Sequence, residues 1–128
     1  MAIRRIDERT GLEAYRAATR GAAVSDVDRT TLACAVRFTL QELAADQPGH
    51  AVEVRVPPFG AVQCIEGPRH TRGTPPNVIE TDAQTWLDLV AGRRTWQDAV
   101  AGGSVDASGA RADLGHLLPL PGMARPLG

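Results

Sequence analysis

The sequence predicts an α+β fold, and three stretches carry that expectation. Residues 78–109 read as strand, helix, helix, strand. Residues 51–66 read as two strands joined by a Pro57-Pro58-Phe59-Gly60 turn. Residues 25–46 read as one long helix ahead of them. At 128 residues the chain is long enough for a single domain with a proper core. Expected bounds are an N-terminal arm and helix over 1–23, the main domain over 24–120 and a flexible tail over 121–128.

In order along the chain, residues 1–9 are charged and expected to be loosely attached. A helix is expected over 10–20, where Leu12, Tyr15 and Ala18 fall on neighbouring turns. The 25–46 helix opens on Ser25 and Asp28, a capping-box pattern, and Gly49 lies beyond its end. Leu32, Val36, Leu40 and Leu43 make one apolar stripe; Val27, Cys34, Phe38 and Ala45 make a second on the opposite side. Such a helix is covered twice, by the sheet on one side and by the N-terminal helix or a second subunit on the other.

Val52, Val54 and Val56 alternate with Glu53 and Arg55, the period of a half-buried strand. The short connection to a strand over 61–66 makes an antiparallel hairpin the expected pairing. Phe59, a large apolar residue in a turn, caps the core or sits at the mouth of a cavity. Residues 67–76, GPRHTRGTPP, form a basic loop. A short strand follows over 78–80. Thr81 and Gln84 suggest a capping box for a helix whose apolar surface is Trp86, Leu87, Leu89 and Val90, and Gly92 is suited to end it in the left-handed conformation. Thr95 and Asp98 start a second helix, with Trp96, Ala99 and Val100 on one face. Gly102-Gly103 stops it, a strand over 104–108 returns, and a final helix is expected over 110–118, with Leu114, Leu117 and Leu118 on its apolar face.

Composition excludes several classes of function. The net charge is −1, so nothing in the balance points to nucleic acid. All 14 basic residues are arginine, a pattern that fits a GC-rich genome. The opening MAIRRIDERTG lacks the apolar run of a signal peptide, and no stretch is apolar enough to span a bilayer. Cys34 and Cys64 are expected to be buried thiols in a reducing compartment, so a cytoplasmic location follows. The histidines, His50, His70 and His116, lack metal-ligand spacing, and no metal or cofactor is expected. Neither a nucleophile motif, a phosphate loop nor a paired acid and base is present, so no catalytic residue is expected.

The core TWLDL, the G-R turn, the short W-x-x-A helix and the G-x-V-x-A-S-G strand together resemble the C-terminal half of the sterol carrier protein superfamily. The resemblance is sharpest over 82–118. It extends back through PPFGAVQCIEGPRHTRGTPPNVIE, which is similar to small bacterial members. It implies a mostly antiparallel twisted sheet of about five strands, with helices packed on one face. It also implies an apolar tunnel between sheet and helices that accepts fatty acids, acyl-CoA esters or sterols.

On that reading Leu32, Val36, Leu40, Phe59, Ile65, Trp86, Leu89, Val90, Trp96, Val100, Leu114 and Leu118 line the cavity. Arg69, His70 and Arg72 meet a charged head group, because arginine forks suit carboxylate and phosphate. The expected activity is then non-catalytic binding or transfer of a small hydrophobic ligand. The competing reading is an interaction module with a closed core, docking a homodimer mate or protein partner through the second apolar face of the 25–46 helix. A thiol-dependent isomerase is disfavoured, since such enzymes carry their metal ligands on a separate helical domain.

Overall fold

A computed structural model of the chain describes residues 5–67 and 77–126. Four α-helices lie in it: α1 (Glu8–Ala18), α2 (Arg29–Asp46), α3 (Ala83–Ala91) and α4 (Trp96–Ala101). Each starts on a short polar side chain that accepts a hydrogen bond from an amide three residues on, satisfying a donor the helix itself leaves free. Asp7 takes Thr10 N at 3.1 Å, Asp28 takes Thr31 N at 3.0 Å, Asp82 takes Thr85 N at 2.8 Å and Thr95 takes Asp98 N at 3.1 Å. The Thr95 cap is the one the sequence pattern marks. For α3 the cap is Asp82 rather than Thr81, and for α2 it is Asp28 rather than Ser25, which falls in a 3₁₀ turn over Val24–Asp26. Asp28 wins because its carboxylate also takes the Thr31 hydroxyl, at 2.7 Å.

Four strands are present among the described residues: β1 (Val52–Val56), β2 (Gly60–Cys64), β3 (Asn77–Thr81) and β4 (Val105–Ser108). They form one sheet in the order β2-β1-β3-β4. This corrects the expected five strands. It also makes the sheet mixed: β1–β2 and β3–β4 are antiparallel, but β1 and β3 run parallel. The hairpin forms as the alternation predicts, with Val54 opposite Val62.

The helices gather on one face of this sheet. α2 packs against β2 and α3, and α1 packs on α2. Of the second apolar stripe of α2, Phe38 is covered by α1, Cys34 is half-buried and Ala45 is exposed. Gly11 of α1 lies so close over Phe38 that a Cβ at that position would come within 2.1 Å of the ring. Phe38 is 1% exposed. The chain's own first helix thus occupies, around Phe38, part of the face expected to receive a homodimer mate or protein partner.

The expected final helix over 110–118 does not form. Asp113 accepts a hydrogen bond from Gly115 N at 2.7 Å, a local turn that competes with helical pairing. Gly115 also sits against the Trp96 ring, where a Cβ would be 3.1 Å away. The segment is a run of turns that still buries Leu114 completely. Beyond it, Leu120 and Met123 are buried at 3% and 6%. Met123 belongs to the stretch expected as a flexible tail. Instead, residues 120–125 bond back to the C-terminal end of α3, through Leu120 N to Val90 O at 3.3 Å and Arg125 N to Ala91 O at 2.9 Å.

Candidate functional site

Period-two alternation sends Val52, Val54, Val56, Ile79 and Cys64 to the face under the helices. None of them is more than 1% exposed. Above them lie Leu32, Val36 and Leu40 of α2, Trp86, Leu89 and Val90 of α3, Trp96 of α4 and Leu114, all in the same contiguous buried cluster. These are the residues expected to line an apolar cavity, and the fold brings them into one layer. Phe59, Ile65 and Leu118 are partly buried at its edge. Val100 lies apart on the outer side of α4, 41% exposed. Arg69, His70 and Arg72 lie outside the described residues.

Two edge residues are held by specific local geometry. Phe59 has the Arg29 guanidinium over its ring at 5.4 Å, and its carbonyl accepts from Arg37 Nε at 2.7 Å. Ile65 has φ +68°, rare for a β-branched residue. Two hydrogen bonds to the α2–β1 connection hold it there: Ile65 N to Gln47 O at 2.7 Å and Ala51 N to Ile65 O at 3.0 Å. Gly49 is what lets that connection approach, since a Cβ on it would meet Ile65 O at 2.1 Å.

Polar groups inside the layer are paired, as burial requires. Trp86 Nε1 donates to Thr39 Oγ1 at 2.8 Å, and the Thr39 hydroxyl reaches back to Ala35 O, also at 2.8 Å. Asn77 donates to Ala51 O at 2.8 Å and accepts from Arg111 N at 2.9 Å, tying the C-terminal segment to the sheet. Burial pushes the Cys64 thiol up to about 11, and burial raises Cys34 as well. Both cysteines are free, and neither sits in surroundings that would make a thiolate nucleophile. His50 Nδ1 pairs with Gln63 Oε1 at 2.9 Å on the surface. Among the described residues no His, Cys, Asp and Glu cluster has a metal-binding arrangement.

The other face of the sheet is chemically opposite. Arg55, Val78, Glu80, Asp106 and Ser108 line an open groove of about 340 Å³ there. Arg55 pairs with Glu53, and Glu80 stands directly across from Asp106.

An apolar layer between an α2–α3 cover and one face of a β2-β1-β3-β4 sheet is the arrangement into which the sequence resemblance can be placed. A family model described as a bacterial SCP ortholog matches residues 28–120. The chain belongs to the sterol carrier protein-like family. No curated protein matches it. The family match starts on Asp28, the cap of α2, and runs to Leu120, so it takes in the whole sheet and its α2–α3 cover. Helix α1, which seals Phe38, lies before it. Among the described residues no helix is long and apolar enough to cross a membrane.

At one end of this sterol carrier-like layer is a cluster that no local sequence pattern marks. Tyr15, 1% exposed, donates its hydroxyl to Met123 O. Arg93 donates Nε to Arg125 O at 2.7 Å, one Nη to Gly21 O at 2.8 Å and the other to Thr19 O. Burial pushes the Tyr15 phenol up to about 12, against the fields of Arg125 and Arg93 that act to lower it. Their partners are 32 to 108 residues away in sequence, too far for motif or periodicity to reveal.

Proposed function

We propose that the chain binds a small hydrophobic molecule non-catalytically, as a carrier or presenter, with its apolar part between helices and sheet. The observation that carries this reading is the continuous apolar layer of Leu32, Val36, Leu40, Trp86, Leu89, Val90 and Trp96 in a chain of the sterol carrier protein-like family. The driving force is removal of apolar surface from water, about 0.8 kcal/mol for each methylene buried. Fatty acids, acyl-CoA esters and sterols are the ligand classes proposed. Phe59, Ile65 and Leu118 contribute at the rim, and Val100 from outside the layer. Arg69, His70 and Arg72 are proposed on sequence grounds as contacts for a charged head group. The two free thiols support a reducing, cytoplasmic location.

The test is native mass spectrometry of protein purified without detergent, followed by organic extraction. A lipid-sized adduct that is lost on denaturation is the expected result. A bare mass that also ignores a panel of fatty acids, acyl-CoAs and sterols overturns the reading. The assembly-module alternative has less apolar surface to use, because α1 covers Phe38 of the face it needed. A well-defined dimer in the same spectrum would revive it.

A further inference from the structure

The proposed carrier reading meets an obstacle in the packing: the apolar layer is filled by the chain's own side chains. At the ends of α1 and α3 two of those side chains, Leu120 and Met123, come from a strap rather than from a helix or strand. The strap is held by few bonds. Leu120 N and Arg125 N bond to Val90 O and Ala91 O, Met123 O receives the Tyr15 hydroxyl, and Arg125 O receives Arg93 Nε.

The polar groups beneath the strap are unbalanced. Arg125 Nε is buried and has no hydrogen-bond partner among the described residues. A buried donor left in this way costs free energy, more so when it belongs to a charged group. Arg93 is met only by carbonyl oxygens. Among the described residues the ion pairs are Arg9–Glu13 and Arg55–Glu53, so neither Arg93 nor Arg125 has a carboxylate. Two guanidiniums and a phenol therefore converge on the end of an apolar layer with no anion between them.

The geometry points to Arg125, Arg93 and the Tyr15 hydroxyl as the head-group site for the carboxylate of a long-chain acid, with Leu120 and Met123 holding the place of its chain until it enters. The inference rests on the carrier reading and assigns the anion a position in it. Nε is one tooth of the planar fork by which arginine meets a carboxylate, and it is buried without a partner among the described residues, on a side chain that is otherwise half-buried. Tyr15 stays protonated across the physiological range and remains a donor. When the acid enters, its carboxylate takes the Tyr15 hydroxyl from Met123 O and pairs with Arg125. The part of the strap over 120–123 lifts and the acyl chain replaces the Leu120 and Met123 side chains, while Arg125 stays anchored by Ala91 O and by Arg93 Nε. Arg93 keeps its carbonyl bonds and contributes its field.

The experiment uses the full chain and isothermal titration with dodecanoic acid and its methyl ester, which differ only in the charge of the head. The wild type should bind the acid at least about tenfold more tightly, the return expected of a charge-assisted hydrogen bond. Arg125→Gln should bring acid and ester to within about threefold of each other, with the ester's affinity unchanged, while Arg125→Lys keeps part of the preference. The unchanged ester affinity shows that the variant is folded. With dodecanoate bound, the Leu120 amide should exchange with solvent faster while the Arg125 amide stays protected.

Equal affinity of the wild type for acid and ester would leave the carrier reading standing and overturn the head-group site. So would an acid preference that survives Arg125→Gln, or one abolished by Arg69→Ala with Arg72→Ala instead. Unchanged exchange at Leu120 overturns the displaced strap. If neither ligand binds, the carrier reading falls and the site falls with it.

Discussion

The two faces of the sheet are made by the same sixteen-odd ångströms of strand and have opposite chemistry. Under the helices, Val52, Val54, Val56, Cys64 and Ile79 are closed off from water. On the other side, Arg55, Val78, Glu80, Asp106 and Ser108 stand around an open groove. The difference shows where each kind of ligand chemistry can reside. The covered face offers burial without charge; the open one offers charge with full solvent competition, where an ion pair such as Arg55–Glu53 is weak. The first suits an apolar group; the groove suits a polar one.

The contrast can be broken most strongly from the covered side. Trp86→Ala removes an indole that is 1% exposed and its bond to Thr39, and should cost about 3–5 kcal/mol, read as a lower urea midpoint. A loss below about 1 kcal/mol would mean that the layer is loosely packed, blurring the distinction between the faces.

A second test uses pH. The Cys64 thiol titrates near 9.0 in the unfolded chain and, raised by burial, at about 11 in the folded one. The thiol's contribution is fully present below pH 9.0 and is lost as pH rises towards about 11. The loss should be of the order of 2 kcal/mol at most, seen in urea melts from pH 8 to 11, and Cys64→Ala should flatten it. A slope unchanged in that variant would show that Cys64 is not in a dry environment.

The smallest effect belongs to the open face. Glu80 and Asp106 are directly opposed like charges in an antiparallel pair, so Glu80→Gln should stabilise by about 0.2–1 kcal/mol. Added salt should help the wild type more than the variant. Destabilisation would mean that Arg55 serves Glu80 as well as Glu53, and the outer face would then be a network rather than a conflict.

How much of this was legible depended on how local the cause was. The valines of β1 alternate with charged residues, and that pattern gives the strand and its buried face, while the short connection over 57–60 gives the hairpin. Gly92, with φ +77°, ends α3 as its position suggests. The final helix was misread because Leu114, Leu117 and Leu118 have helical spacing, while Asp113 and Gly115 form a turn between them. The fifth strand came from the family resemblance and not from the residues, which show alternation or β-branching for four. The residues of the buried apolar layer were legible as apolar and periodic. The Tyr15, Arg93 and Arg125 cluster was not, because its bonds go to backbone carbonyls whose positions exist only after folding. Met123 looked like part of a tail because Pro121, Gly122 and Pro126 around it carry no period of either kind.

The parallel ladder between β1 and β3 has a consequence for topology. It joins Val52–Arg55 to Asn77–Glu80, and every other strand pairing lies within one half of the chain. The sheet is thus two consecutive hairpin-like units sewn along a single seam, with the unit before residue 67 contributing β2-β1 and the unit after residue 77 contributing β3-β4. Two copies that traded their second units would rebuild the same seam with the same register, so the architecture is permissive to exchange between chains in a way that a meander, with sequential neighbours throughout, is not.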